Sequence, residues 1–252
     1  MNKIVEICCG SYEDAFVAYR AGATRIELNS ALYLGGLTPS LGTLSLVKQN
    51  TNLKVIAMVR PRGAGFCYSK ADFEVMKADT RLLMENGADG IAFGCLDEKG
   101  NIHIEQTQEI IDIIKKYHGE VVFHRAFDCV EDPYKSMEKL ITMGVERVLT
   151  SGLKAKAVDG MELIAKLQER YGDRIEILAG SGINASNALE IMEKTGISQV
   201  HSSCKGWRKD PTTTGKEVSY SYAEGVHGND YDVVDEKLVR KLVDSVLIDL
   251  QE

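Results

Sequence analysis

Two glutamates near the start of the chain have the residue type and spacing of a buried acid–base pair. Glu6 lies in the apolar run at residues 4–8, and Glu27 lies in the next such run, at residues 25–29. If the two runs are neighbouring strands, we expect the carboxylates to lie side by side at similar heights, with Arg60 close enough to neutralise part of their charge. Three roles fit such a pair: acid–base catalysis, binding of a hard cation, or a polar plug satisfied by ion pairs.

A second set of reactive residues closes the fifth apolar run. His124, Arg125 and Asp128 place an imidazole, a guanidinium and a carboxylate within five residues. Histidine titrates near neutrality, and Asp128 would orient either the imidazole or the guanidinium for catalysis. The alternative is an ion pair between Arg125 and Asp128 that only shapes the loop. His201, in the last apolar run, is a further candidate for acid–base chemistry.

A glycine-rich loop is the candidate anion site. Gly180, Ser181 and Gly182 stand between an apolar run and a helical pattern. Glycines let the backbone approach an anion, and the start of a helix offers free N–H groups. Ser151 and Ser203 follow the neighbouring runs and add hydroxyl groups. Together these residues predict a cradle for an oxyanion such as phosphate, unless the glycines serve only a tight turn.

A repeating β–α pattern positions these residues. Short β-rich apolar runs occur at residues 4–8, 25–29, 54–60, 90–93, 120–125, 147–150, 176–179 and 199–203. Helical patterns, in which apolar residues recur at three and four positions, lie between them, for instance at residues 12–21, 71–86, 105–117, 133–143, 160–171 and 185–194. Eight such units of roughly 31 residues give the usual length of a (β/α)8 barrel, which carries its chemistry where the strands end.

The sequence therefore predicts an α/β protein of the TIM-barrel class, (β/α)8, with a single domain over residues 1–252. A polar stretch rich in turn formers is expected to leave the barrel at about residues 205–232, before a last helix at about 233–250. After the first strand the chain reads CCGS rather than GxGxxG, so we expect no nucleotide cofactor.

Composition favours a small molecule or a metal ion as the partner. The net charge of −7 argues against nucleic acid and anionic membrane surfaces, which are bound through clustered Lys and Arg. Glu6 interrupts the apolar residues near the N-terminus, so we expect neither a signal peptide nor a membrane span, and we predict a cytoplasmic location. The six cysteines show no CxxC or zinc spacing and are expected to be reduced thiols.

Several motifs, in one order along the chain, resemble the CutC family of copper homeostasis proteins. They are VEIC at residues 5–8, GATRIEL at 22–28, GGLTPS at 35–40, MVRPRG at 58–63, MKAD at 76–79, FHRAFD at 123–128 and RVLTSG at 147–152. The resemblance runs from about residue 4 to residue 204. It implies a (β/α)8 barrel that assembles as a homo-oligomer.

The resemblance also implies Cu(I) as the bound metal. In some family members the proposed ligands are two cysteines at the ends of the first two strands. The first corresponds to Cys8, whereas the second corresponds to Asn29, whose amide is a poor Cu(I) donor, and Met58 is a candidate thioether in its place.

Two functional hypotheses follow from the residues and the resemblance. One is a cytosolic copper homeostasis protein that binds Cu(I). The other is a barrel enzyme of unknown reaction that acts on a small anionic metabolite, phosphorylated or not, because the mouth carries more polar groups than a copper carrier requires. A purely structural or partner-binding barrel would leave those polar groups unexplained.

Overall fold

Eight parallel strands form a closed barrel with a helix after each strand. The computed structural model describes residues 3–247. The barrel strands, in the order in which they neighbour one another, are β1 (Ile4–Cys9), β2 (Arg25–Leu28), β3 (Lys54–Met58), β4 (Gly90–Phe93), β5 (Glu120–Phe123), β6 (Arg147–Thr150), β7 (Glu176–Gly180) and β8 (Gln199–Ser202). Strand β8 pairs with β1 and closes the ring, so the predicted (β/α)8 class is confirmed.

The surrounding helices begin at caps that the sequence supplies locally. They are α1 (Tyr12–Arg20), α2 (Leu41–Asn50), α3 (Lys70–Glu85), α4 (Ile104–Lys116), α5 (Pro133–Thr142), α6 (Met161–Tyr171), α7 (Ala188–Thr195) and α8 (Glu236–Leu247). Ser11, Ser40 and Ser69 each accept a hydrogen bond from the backbone N–H three residues further on, which satisfies a donor that the helix itself leaves free. Among the described helices, we find none whose length and apolar character would let it cross a membrane.

The barrel interior has an apolar half and a polar half. Ile56, Met58, Ala92 and Val122 form a separate buried cluster inside the barrel on β3, β4 and β5. Buried polar and charged side chains instead occupy the inner positions of β1, β2 and β8. Because polar groups lose hydration when they are buried, this second half is stable only if its members bond to one another or to a ligand.

The polar stretch after β8 contains two strands. Sequence reasoning did not find them because this stretch is rich in turn-forming residues. Strands β9 (Lys205–Lys209) and β10 (Asp230–Val234) pair in antiparallel fashion, and we call this pair the ribbon. Residue 233 therefore belongs to a strand, and α8 begins at Glu236 instead of the expected residue 233. The last residues of the expected helix, 248–250, lie outside the described residues.

A buried carboxylate fastens the ribbon to the barrel. Asp14, on α1, accepts the N–H of Val234 at 2.7 Å through Oδ1 and the N–H of Gly10 at 3.1 Å through Oδ2. Asp14 is only 5% exposed, so water is a poor substitute for either bond. The ribbon is thereby held against the end of β1.

We predict that Asp14→Ala will destabilise the protein by about 2 kcal/mol in urea unfolding, because the buried N–H of Val234 and the partly buried N–H of Gly10 lose their acceptor. Hydrogen exchange at the amide of Val234 should accelerate in the same variant. Asp14→Asn is the matched control, since its amide oxygen still accepts one of the two bonds and the loss should be smaller. Unchanged exchange at Val234 in Asp14→Ala would show that the ribbon is held by other contacts.

Candidate functional site

A buried ion pair lies at the centre of the polar half of the barrel. Glu6 Oε2 is 2.6 Å from Arg25 Nε, and Glu6 Oε1 is 2.8 Å from Nδ1 of His201. The strand register explains both contacts, since it places Glu6 beside Arg25 on β2 and beside His201 on β8. Burial alone would raise the pKa of Glu6, but Arg25 and His201 outweigh it and lower that pKa to about 2. Glu6 is therefore ionised and holds the His201 ring in place.

Glu6 and Glu27 do not lie level with each other, as the sequence had led us to expect. The register aligns Glu27 with Cys8, two residues beyond Glu6, because strands in a closed barrel are staggered. Arg60 is also not the counter-ion that the sequence had predicted for the two carboxylates. Its guanidinium donates to three backbone carbonyls in the loops that follow β2 and β3. The counter-ion of Glu6 is Arg25, which sequence reasoning missed. Arg25 is two residues from Glu27 on β2, so alternation along the strand would have indicated that it too points into the barrel.

A cluster of potential ligands lies one layer above the ion pair. Cys8, Glu27 and His201 each offer a ligand atom, and these atoms all lie within 4.8 Å of one another. The Asn29 amide donates to Glu27 Oε1 at 3.0 Å and to Cys8 Sγ at 3.5 Å. Because Glu6 occupies Nδ1 of His201, Nε2 is the ring nitrogen that remains for a ligand.

The pKa of each of the three potential ligands is raised above its ordinary value. Burial and the neighbouring Glu27 carboxylate raise the pKa of the Cys8 thiol well above its usual range. Burial and the Glu6 charge also raise the pKa of Glu27. Burial alone would lower the pKa of His201, but its hydrogen bond to Glu6 and the charge of Glu27 raise it overall. A metal ion that binds here must displace protons.

His124 is a neutral hydrogen-bond donor rather than the titrating group that the sequence predicted. Its Nδ1 accepts the N–H of Ala126 at 3.1 Å, so the ring proton is on Nε2. Burial, followed by the charges of Arg60 and Arg125, lowers the pKa of His124 to about 3. The ring therefore stays neutral at physiological pH.

Asp128 fastens a loop, which is the structural alternative left open above. Its Oδ2 is 2.7 Å from Arg125 Nε, and its Oδ1 accepts the Thr150 hydroxyl at 2.6 Å and the Ser151 N–H at 2.9 Å. The hydroxyl of Ser151 donates to Asp128 at 2.9 Å and also accepts from Arg125 at 2.9 Å. These bonds account for the position of Asp128 without a catalytic role. They also place Ser151 in the hydrogen-bonded group around Arg125 and Asp128 instead of in an anion site.

The glycine-rich loop is only partly assembled as the sequence predicted. Ser181, Gly182 and Ser203 line the central cavity, and Gly182 needs its left-handed φ of +74° to do so. Gly180 is instead packed against Leu149, whose Cδ1 would lie 2.7 Å from an added Cβ. The expected helix start at residue 185 is wrong, because α7 begins only at Ala188. The start of α7 is thus displaced from the loop that it was expected to assist.

A single cavity joins most of these groups at the C-terminal ends of the strands. Its volume is about 310 Å³, and the predicted site residues that line it are Cys8, Glu27, Met58, Arg60, His124, Ser181, Gly182, His201 and Ser203. The ribbon closes one side through Lys205 and residues 232–234. Sequence reasoning missed this wall because a polar stretch rich in turn formers gave no sign that it returns to the barrel.

Comparison with known proteins agrees with the barrel and with the motifs. The model of the CutC family matches residues 3–206. The chain belongs to the CutC family. The match ends within β9, so the second strand of the ribbon, which lines the CutC cavity, lies beyond it.

The relatives of this CutC protein cover most of its length. A CutC family protein from Treponema denticola is 50% identical over 219 residues, which are 87% of this chain and 88% of the relative. The copper homeostasis protein cutC homolog of Homo sapiens is 45% identical over 205 residues, which are 81% of this chain and 74% of the relative. A CutC structure from Streptococcus agalactiae superposes with a TM-score of 0.76 at 29% identity, covering 80% of this chain and 98% of that one.

More distant structures show the fold alone. The N-(5'-phosphoribosyl)anthranilate isomerase of Pyrococcus furiosus superposes with a TM-score of 0.57 at 16% identity, and it covers 97% of this chain and 98% of its own. A barrel of this class supports many unrelated chemistries, so this likeness assigns no reaction to the present chain.

We predict that Glu6→Gln will destabilise the protein by about 3 kcal/mol, because the buried Arg25 charge loses its partner. Urea unfolding measures this loss. Glu162→Gln on α6 is the matched control, since Glu162 is largely exposed and its pair with Lys166 should contribute little to stability. Equal stability of the two variants would contradict the central role of the ion pair.

The same pair predicts how stability depends on acidity. The pKa of Glu6 falls from its ordinary value of 4.5 to about 2 on folding. Its contribution is therefore fully present above about pH 4.5 and is lost as the pH falls through about 2. The stability difference between wild type and Glu6→Gln should shrink across this window; a difference that stays constant would mean that Glu6 does not titrate as described.

Proposed function

We propose that this CutC protein binds one copper ion, as Cu(I), between Cys8 and His201 at the mouth of the barrel. The observation that carries the proposal is the convergence of ligand atoms from Cys8, Glu27 and His201 within 4.8 Å of one another. Copper is here the bound cargo, and no reaction of the metal is invoked.

The chemistry of the donor set fits this ion. Cu(I) is a soft ion that prefers sulfur donors, and imidazole also suits copper. Cys8 supplies the thiolate and His201 the imidazole, while the Met58 thioether lines the same cavity. Glu27 is a hard donor, and its Oε1 lies 3.9 Å from the Cys8 sulfur, where it can receive the proton that the thiol releases.

Asn29 supports the thiolate instead of replacing the second cysteine as a ligand. Its amide nitrogen already donates to Cys8 Sγ at 3.5 Å, and a hydrogen bond of this kind stabilises the anionic form of sulfur. The Homo sapiens relative that shares 45% of the aligned residues is named a copper homeostasis protein, which supports the choice of copper. A cytoplasmic location and a homo-oligomeric assembly stay predictions.

A specific observation favours a second candidate, an enzyme that acts on a small anionic metabolite. The cavity of about 310 Å³ is at the lower end of the range for small-molecule pockets and far larger than one ion requires. His201, held by Glu6, would be the base, and Arg60 and His124 would bind the substrate. Substrate turnover by metal-free protein would favour this candidate over copper binding.

We predict that Cys8→Ser will weaken Cu(I) binding at least tenfold, because it removes the strongest soft donor of the site. Titration of the metal against a chromophoric Cu(I) chelator measures the affinity. Cys67→Ser is the matched control and should bind as wild type does, because Cys67 is exposed and does not line the cavity. Asn29→Cys should bind more tightly, since it adds a second thiolate beside Cys8.

Two results would contradict the proposal. The first is a tight stoichiometric site that survives Cys8→Ser, which would place the copper elsewhere. The second is equal weakening by Cys67→Ser, which would show that surface thiols hold the metal.

A further inference from the structure

The opposite side of the cavity contains a buried cation without a counter-ion. Arg60 is 5% exposed, and the hydrogen bonds that its guanidinium makes within the described residues go to backbone carbonyls and not to a carboxylate. Its two terminal nitrogens donate to backbone carbonyls, and the buried Tyr68 hydroxyl lies near the same guanidinium. Nε itself is buried and makes no hydrogen bond of good geometry in the described part of the chain. The carbonyls satisfy hydrogen bonds but leave the positive charge unbalanced.

A second donor beside Arg60 is also left without an acceptor. His124 is 3% exposed, and its Nδ1 is occupied by the N–H of Ala126, so the proton is on Nε2. Nε2 has no hydrogen-bond partner among residues 3–247. A buried N–H that lacks an acceptor is unfavourable, and here the two residues that carry such groups both line one cavity.

Both donors pack against the same aromatic ring, away from the proposed copper site. The Phe66 ring centroid lies 5.2 Å from the Arg60 guanidinium carbon and 5.0 Å from the His124 ring centroid. The two donors follow β3 and β5, whereas Cys8 and His201 lie on β1 and β8, across the barrel. The cavity thus has a basic side and a separate side that contains the potential metal ligands.

Local structure explains only part of this arrangement. The carbonyl bonds of Arg60 tie the loops after β2 and β3 together, which accounts for its terminal nitrogens. They account for neither the free Nε–H nor the free Nε2–H of His124. An anionic group in the cavity would accept from both donors and balance the charge of Arg60 at the same time.

We propose that Arg60 and His124 bind the carboxylate of a small organic acid at the basic side of the cavity. Two N–H donors match the two oxygens of a carboxylate, whereas a phosphate would leave further oxygens without donors there. Both nitrogens are closed to water by the packing around them, to which Phe66 contributes, so a ligand reaches them only when this packing opens. This site is additional to copper binding and uses none of the proposed copper ligands.

The direct test observes the His124 side chain of the full metal-free chain by NMR, with ¹⁵N-labelled histidine. Glycolate is the probe, and chloride at equal ionic strength is the control salt. We expect saturable movement of the His124 Nε2–H signal with glycolate and no movement with chloride. Absence of a saturable shift with glycolate would overturn the proposal.

Variants show whether the two donors hold the probe. His124→Phe should weaken glycolate binding about tenfold or more, because one charge-assisted hydrogen bond is lost. His103→Gln, at the start of α4 and outside the cavity, should leave the affinity unchanged. Melting curves establish whether each variant is folded. If His124→Phe does not fold, the wild-type spectrum and the variant Phe66→Ala decide the question. Phe66→Ala should bind glycolate at least as tightly as wild type does.

Two further measurements separate this site from the alternatives. Inorganic phosphate should bind more weakly than glycolate; tighter binding of phosphate would overturn the assignment of a carboxylate. Cys8→Ser should bind glycolate as wild type does, even though its Cu(I) binding is weakened. Loss of glycolate binding in Cys8→Ser would show that the anion belongs to the Cys8 cluster and would overturn a separate basic site.

Discussion

The buried ion pair between Glu6 and Arg25 is the constraint on which the rest of the site depends. Burying either charge alone would cost several kcal/mol, so each requires the other inside the barrel. The bond from Glu6 to His201 then fixes the orientation of an imidazole one strand away. With Nδ1 of His201 occupied, Nε2 is the ring nitrogen that remains for a ligand in the cluster with Cys8 and Glu27. The ligand cluster is therefore built upon the ion pair beneath it.

The division of the barrel interior separates two kinds of chemistry. The apolar cluster on β3 to β5 contains no polar side chain that needs a partner. Above this cluster, Arg60 and His124 line the cavity. The polar half on β1, β2 and β8 carries the sulfur and carboxylate groups. The cavity, with a volume of about 310 Å³, thus has one side that carries a positive charge and another side that favours a cation. This arrangement suits a copper ion and an organic carboxylate in one cavity, at different walls.

The sequence predicted the barrel and the inward direction of most site residues, because strand parity and repeat length are local properties. It failed where the outcome depends on contacts between residues that are distant in the sequence. Barrel stagger placed Glu27 beside Cys8 instead of Glu6, and Arg25 became the counter-ion that Arg60 was expected to be. The environment of His124 lowers its pKa to about 3, which residue type alone does not reveal. The return of the ribbon to the cavity was equally hidden.

The most direct test of the account is X-ray absorption at the copper edge of the Cu(I)-loaded full chain. The account predicts one thiolate sulfur and at least one imidazole nitrogen bound to the metal, with the imidazole signal lost in His201→Gln. A spectrum that shows only sulfur ligands, unchanged by His201→Gln, would contradict the claim that the Glu6-held imidazole is a copper ligand. It would point instead to cysteines outside the barrel mouth.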